Sequence, residues 1–582
     1  MHRGRLRYLR LWSMAAVPLA LALPPMLWVA DATRRATLTT LGRDQGIFQF
    51  IAWSLSRGAI DYRDVRDVNG PLIHLIHLVF LRLGGADEHR FHVLDLIVTG
   101  LSFALAGACV PSVGSSRAPS PLERALWALA AWVTLSGQYL LYGFWDIAQR
   151  ESFLDWFMLP AVALQLVAQQ PYSSSERPSS ERPEEHRPPR GMLFVLMGLL
   201  SVIPWFGKPT YALFTAAQLA ALVVDRRAPV PRRTALIGFA IGGLVGAATQ
   251  AFFLVEYGDP LAFLHIQMSE VPSMYRFMWT RSAFDVLSTP FFGARALLAV
   301  TGSALLLGLI ASGAMPPRAL GVALAPLCAL GSVLAQAKGF PYHFHPVSAG
   351  VALQAVVLLA WLSERVRVAR RSAALPRLVP VAVAVGIGVY VGDSLLESPY
   401  LHDPWLLTAQ ARSGSSEYFT HFVRIDFFPD EMRDAAAYVR AHTHAGAPVQ
   451  MYGMDPYLLF LADRPSATPY IYAYELNADA ALAGGTGGRP DLEQTERIRR
   501  MRDAHEADLL ARMSVQPPGA LVFIDGSPLL TRADAWEDFS AHCAQSAAWI
   551  EARYEEAGRF GHEHVWLPKS PEASRAEVGN RK

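Results

Sequence analysis

Long apolar runs alternate with short polar connections over most of the chain. Runs long enough to cross a bilayer, which takes roughly 20 apolar residues each, fall near residues 12–30, 91–112, 124–143, 152–169, 191–206, 209–224, 235–255, 291–313, 319–336, 345–363 and 378–392. The pattern predicts a polytopic α-helical membrane protein with about eleven transmembrane helices. Leu72 to Leu83 is too short to cross and carries His74, His77 and Arg82, so it reads as an interfacial helix along the outer leaflet, its histidines toward the headgroups. From about Asp393 the hydropathy falls. Helical spacing over Pro429 to His442, strand-like Pro448–Gly453 and Gly519–Gly526, and a charged amphipathic stretch from Asp491 to Met513 predict a soluble α/β domain. The expected division is a membrane domain over 1–392, with interfacial helices in the 31–90 loop, and a soluble domain over 393–582.

Composition agrees, since 52% hydrophobic and 18% charged positions in 582 residues are too apolar for an ordinary soluble protein. The net charge of +2 conceals segregation. Arg117 and Arg124, the Gln169–Arg190 loop, Arg226, Arg227, Arg232 and Arg233, Arg318, and the arginines from Arg365 to Arg377 all fall on the side of the basic N-terminus, which the positive-inside rule makes cytoplasmic. This is an orientation signal, and it sets nucleic-acid partners aside. Leu11 to Ala30 resembles a signal peptide but exceeds a typical signal core, so it reads as a retained first helix. An odd number of crossings places the C-terminal domain outside. For a bacterial chain the location is then the cytoplasmic (inner) membrane, crossed many times. The Pro/Ser/Glu/Arg-rich Gln169–Arg190 loop reads as flexible, and Cys109, Cys328 and Cys543 form no disulfide or metal framework.

With this topology most unusual polar residues share the outer side. They are the charged Thr37–Arg90 loop with Asp44; Asp146, Gln149, Arg150 and Glu151; Lys208 before Pro209; His265, Glu270, Tyr275, Arg276, Arg281 and Asp285 in the Glu256–Phe292 segment; and Lys338, Tyr342, His343 and His345. Ionisable groups at a membrane boundary are costly unless paired or functional. A carboxylate suits a general base for an acceptor hydroxyl or amine, and Lys and Arg suit a phosphate leaving group.

The order of these loops resembles the GT-C superfamily of integral-membrane glycosyltransferases, in particular protein O-mannosyltransferases, the aminoarabinose transferases of lipid A and the lipopolysaccharide-core transferases of rhizobia. The likeness rests on Asp44 in Arg43-Asp44-Gln45-Gly46, the tract from Tyr62-Arg63-Asp64 to Asn69-Gly70-Pro71-Leu72, Arg90 opening the next span, an acidic loop after the third span and a late Lys/Tyr/His loop. It covers roughly residues 10–392. What it implies is inverting transfer of a sugar from a polyprenyl-phosphate donor to a cell-envelope acceptor. Asp44 stands where the family has its catalytic acid, and Glu151 takes a supporting role. Arg150, Lys208, Arg276, Arg281, Lys338, Tyr342, His343 and His345 are the candidate substrate-binding residues. Gln45 departs from the commoner Asp-Glu pair. No cofactor is implied, and a divalent metal is left open.

Each residue also has a plainer reading. Asp44 suits a helix N-cap, Arg150 and Glu151 an interfacial ion pair, and Lys208 a lysine snorkelling at a span end. His343 and His345 would share a side of an extended segment but lack a third ligand, which favours hydrogen-bonding histidines over a metal site. Gly484–Gly488 follows no strand and reads as a flexible loop. Two further functional classes compete: a transporter or flippase for a lipid-linked glycan, which would need polar residues within the spans, and a non-catalytic envelope scaffold.

Overall fold

The computed structural model describes residues 25–114, 118–171, 190–226, 228–369, 396–408 and 416–570, with residues 19, 23, 392–394 and 411. The expected spans at 12–30 and 378–392 lie largely outside the described residues, as do 172–189 of the expected flexible loop. Among the described residues, six helices are long and apolar enough to cross a membrane: Glu88–Val113, Arg150–Ala168, Arg232–Tyr257, Pro290–Ala311, Pro317–Gln336 and Pro341–Arg365. A helix over Pro121–Tyr139 and shorter apolar helices at Arg190–Phe206 and Pro209–Val224 fill the remaining expected positions.

Arg150–Ala168 is the axis of this bundle. Its apolar window is 89% buried, against 22% for Pro290–Ala311, so one helix is enclosed by protein while the other keeps most of its side chains outward. Arg190–Val202 and Arg232–Tyr257 pack backbone to backbone. A Cβ at Gly198 would strike the Phe239 carbonyl and one at Gly242 the Val195 carbonyl, the close approach that small residues allow between membrane helices. At one end of the bundle Arg124 donates to the Ala108 carbonyl, Arg318 to those of Ser112 and Val113, and Arg365 to that of Ala314. These basic connections therefore meet at one end.

At the other end lie two helices of the first long loop, α1 (Arg43–Ser56) and α2 (Pro71–Gly84). Helix α2 has 14 residues, about 21 Å at 1.5 Å per residue, too short to span. The expectation that His74 and His77 face lipid headgroups is corrected: both are fully buried. The reason is packing, because α2 lies against α1 and presents its histidines to the Asp61–Asp67 loop and to Gln49.

Beyond residue 416 stands a four-stranded sheet in the order β1-β2-β4-β3, with β1 (Val449–Tyr452) parallel to β2 (Ala520–Ile524), and β4 (Glu563–Pro568) antiparallel to both β2 and β3 (Tyr554–Phe560). The charged helix Leu492–Val515 makes the crossover from β1 to β2. Both strands read from the sequence are present. The hairpin β3–β4 is additional; β3 carries Glu555, Glu556 and Arg559 with an exposed face, so it has no run of apolar residues to announce it. This unit is riveted to the loops below it by Arg43–Asp455 at 2.8 Å, Arg66–Glu475 at 3.0 Å, Arg433–Glu88, and Tyr472 donating to Asp67 at 3.1 Å. The Gly484–Gly488 stretch is docked rather than free: the Gly487 amide donates to the Thr280 carbonyl at 3.1 Å and the Ser282 amide to Thr486 Oγ1 at 3.1 Å.

Candidate active site

Between the loop end of the bundle and the C-terminal unit lies a cavity of about 720 Å³. Its floor and walls include Asp44, Asn69, Asp146, Arg150, Lys338 and Tyr342, and its roof Arg424, Asp426, Tyr472 and Tyr474. Aromatic rings from Phe48, Trp145, Trp279 and Phe340 complete a largely apolar wall, the usual make-up of a ligand site with few polar groups.

Asp44 belongs to the first turn of α1, but the N-cap is Gly42, so the N-cap reading of Asp44 is corrected. The neighbour caps the helix from its third position, Gly42 having no side chain to do so: Gln45 accepts from the Gly42 amide and donates to the Phe144 carbonyl at 3.0 Å and to the Ile147 carbonyl. Gln45 thus latches α1 to the 144–147 loop and is spent there, while Asp44 is left on the cavity wall. Burial pushes the Asp44 carboxyl above its usual range, opposed by the charges of Arg150 and Arg43 and by a hydrogen bond from Tyr342. The helix N-terminus favours its ionised form.

Arg150 opens the bundle's axial helix and reaches two residues across the cavity wall: Asn69 through Oδ1, and Tyr342 through its hydroxyl at 3.0 Å and its ring face, 5.5 Å from the centroid. Its Nε is buried, makes no hydrogen bond and lies 4.0 Å from Glu151 Oε2. Asp146 stands near by. Burial, then the negative charge of Asp44, raises its carboxyl to about 7, with Arg424 opposing.

Glu151 points elsewhere. It is buried, ion-paired to Lys208 and 3.4 Å from His343 Nε2, and Lys208 also donates to Gln336. This cluster lies behind the cavity wall. Lys208 does not snorkel, because its ammonium is turned into protein; burial lowers its pKa to about 8 against the pull of Glu151. His343 and His345 are separated by the helical turn they occupy, which corrects the extended geometry expected for them. His345 Nε2 bonds the Asp146 carbonyl at 2.8 Å, while His343 joins Glu151. Arg276 and Arg281 are exposed and do not line the cavity. Lys338 does line it, yet its ammonium donates to the carbonyls of Tyr275 at 2.8 Å, Arg276 at 3.4 Å and Met278, so it braces the 275–278 turn.

Sequence reasoning passed over Arg43, Asp67, Asp426, Asp455, Tyr472 and Tyr474. Arg43 is buried between Asp455 (2.8 Å) and Asp426 (3.2 Å), partners some 400 residues away, and local spacing holds no trace of such a pairing. Among the described residues one cluster has metal-ligand proximity, Asp479, Asp538 and His542, and none of the three lines the cavity.

No family model matches the sequence, and no curated protein matches it. Solved structures do. ArnT from Cupriavidus metallidurans bound to undecaprenyl phosphate is similar over 95% of this chain and 98% of that chain, with a TM-score of 0.52 at 15% identity. The same protein in the apo state gives 0.51 at 14% identity over 94% and 97%. The chain has the GT-C fold that its loop motifs implied.

Proposed function

We propose that the protein is a membrane glycosyltransferase that moves a sugar from a polyprenyl-phosphate carrier to a cell-envelope acceptor on the extracytoplasmic face of the bacterial inner membrane. The observation that carries this reading is the placement of Asp44 and Arg150 on the wall of a roofed, largely apolar cavity, both bonded to the Tyr342 hydroxyl, at the end of the bundle away from the clustered arginines. That arginine end is the cytoplasmic one by the positive-inside rule. About eleven crossings, a membrane domain over 1–392 and an outer domain over 393–582 belong to the same proposal.

In this reading Asp44 takes the proton of the acceptor hydroxyl or amine as that atom attacks the anomeric carbon. The bond from the anomeric carbon to the carrier phosphate breaks, its electron pair leaves with the phosphate oxygen, and the configuration inverts. Arg150, whose guanidinium lines the cavity, neutralises the departing phosphate; Arg424, exposed on the roof, is placed to assist. Burial raises the basicity of Asp44, which suits a base. Asp44→Asn should abolish transfer while the protein still inserts, read by mass spectrometry of envelope glycans and glycoproteins with and without the protein. Wild-type modification by that variant would sink the assignment.

A flippase for a lipid-linked glycan gains one observation, because Asp155, Gln165 and Gln218 are buried inside apolar helices. Movement of lipid-linked glycan across vesicles that survives Asp44→Asn would favour it.

A further inference from the structure

The Asp61–Asn69 loop stands along one side of the cavity and is held from behind. His74, fully buried on α2, has Nδ1 2.6 Å from Asp61 Oδ2 and Nε2 2.8 Å from Asp67 Oδ2, and both carboxylates are as buried as the ring. Asp67 is a hub. It also accepts from the Val68 amide at 2.7 Å, from Asn69 Nδ2 at 2.9 and 3.0 Å, and from the Tyr472 hydroxyl at 3.1 Å. Asn69 and Tyr472 both line the cavity, and Asn69 Oδ1 accepts from Arg150. Tyr62 in the same loop has φ +66°, a strained conformation for a tyrosine, kept by its amide bond to the Val65 carbonyl (2.9 Å) and its hydroxyl bond to the Asn69 carbonyl (2.8 Å). Gly70 closes the loop where a Cβ would strike the Phe206 carbonyl.

We propose that His74 is a positioning residue: clamped between Asp61 and Asp67, it locks the hub from which Asn69 and Tyr472 reach the cavity and, through Asn69, the Arg150 guanidinium beside Asp44. The significance for Arg150 rests on the transferase reading; the clamp itself does not. With both carboxylates ionised, a ring that has one on each nitrogen donates from both, which makes it an imidazolium. The groups facing it are Asp61, Asp67, Tyr62 and Phe48 from other elements and His77 on its own helix. Burial works against the charge, but the two carboxylates outweigh it and lift His74 to about 10. A folded-state value above the ordinary 6.5 means that the stabilisation is complete below pH 6.5 and is lost only as pH rises through about 10.

The test uses the full-length protein in detergent micelles. Nuclear magnetic resonance of ring-labelled histidine, with His74→Gln identifying the signal that disappears, should show an imidazolium at pH 8.5; a neutral ring there overturns the clamp. Asp61→Asn, which keeps the shape and removes one charge, should bring the titration down by two units or more, about a hundredfold in proton affinity. An unmoved titration also overturns it, and this variant carries the test where His74→Gln fails to insert. The link to the site is read with undecaprenyl phosphate as probe, through the fluorescence of Trp145 and Trp279. His74→Gln and Asn69→Ala should each weaken binding about tenfold, and the double variant no more than the worse single, whereas His74→Gln combined with the remote Arg57→Ala should show no coupling. Additive losses at His74 and Asn69 break the link. A wild-type protein that ignores undecaprenyl phosphate counts against the transferase reading, while the resonance result still decides the clamp.

Discussion

Arg150 and Glu151 are neighbours in the chain and belong to different parts of the molecule. Successive side chains on a helix diverge by about 100°, so Arg150 faces the cavity with Asp44, Tyr342 and Asn69, while Glu151 faces the bundle interior with Lys208 and His343. Each region sets acid against cation, and the difference lies in what is left over. Behind the wall Lys208 is consumed by Glu151 and Gln336. On the wall, Asp44 and Arg150 both border open space, and the two regions touch where Arg150 Nε lies 4.0 Å from Glu151 Oε2. One pairing is closed and holds helices together; the other is open and can meet a ligand.

The largest effects should fall on opposite readouts. Asp44→Asn should lower transfer by about 10²–10⁴-fold, the range for a lost general base, with little change in thermal stability. Glu151→Gln should do the reverse: it leaves the largely buried Lys208 without its counter-charge, at about 3–5 kcal/mol. Adding Lys208→Met should recover much of that loss, since removing both partners leaves no orphaned charge. Thermal unfolding of detergent-solubilised variants, set beside product accumulation, separates the two. If Glu151→Gln leaves stability intact and removes transfer, Glu151 belongs to the open region after all.

Arg150→Ala should come next, lowering transfer by about 10²–10³-fold, as expected for one lost donor to a developing anion. Arg150→Lys should recover little, because a point charge cannot span Asn69 and Tyr342 together as the planar guanidinium does. Full recovery by lysine would mean that only the charge matters.

Much of this arrangement is legible in the amino-acid sequence. Hydrophobic spacing locates the described spans, and the ordered loop motifs point to the fold and to ten candidate residues, of which Asp44, Arg150, Lys338 and Tyr342 line the cavity and the other six do not. Long-range pairing is not legible there. Arg43 with Asp455, Arg66 with Glu475 and Tyr472 with Asp67 join positions some 400 residues apart and bring the roof down on the loops. Direction is also hidden: Glu151, Lys208 and Lys338 are ordinary polar residues at span ends, and His74 one on a short non-spanning helix, until packing shows which way each points. Charged loops announce a site, but they do not say which charges are already committed.

The finest distinction is in the pH dependence, because two titrating groups border the open region. Asp146 ionises at about 7, and its new negative charge makes Asp44 a stronger base, so transfer should rise as pH passes upward through that value. Lys338 is lowered to about 8 by burial, and above that pH it loses a proton given to the 275–278 carbonyls, loosening the turn that carries Tyr275 and Met278 to the cavity. The profile should be bell-shaped, with limbs near these values. Asp146→Asn should flatten the acid limb alone, and Lys338→Met should lower the plateau and remove the alkaline limb. The deeper Glu151 cluster should leave the profile's shape unchanged in the Glu151→Gln, Lys208→Met double variant. An acid limb that survives Asp146→Asn would assign that titration to Asp44 itself, and the open region would then hold one working carboxylate with no tuning neighbour.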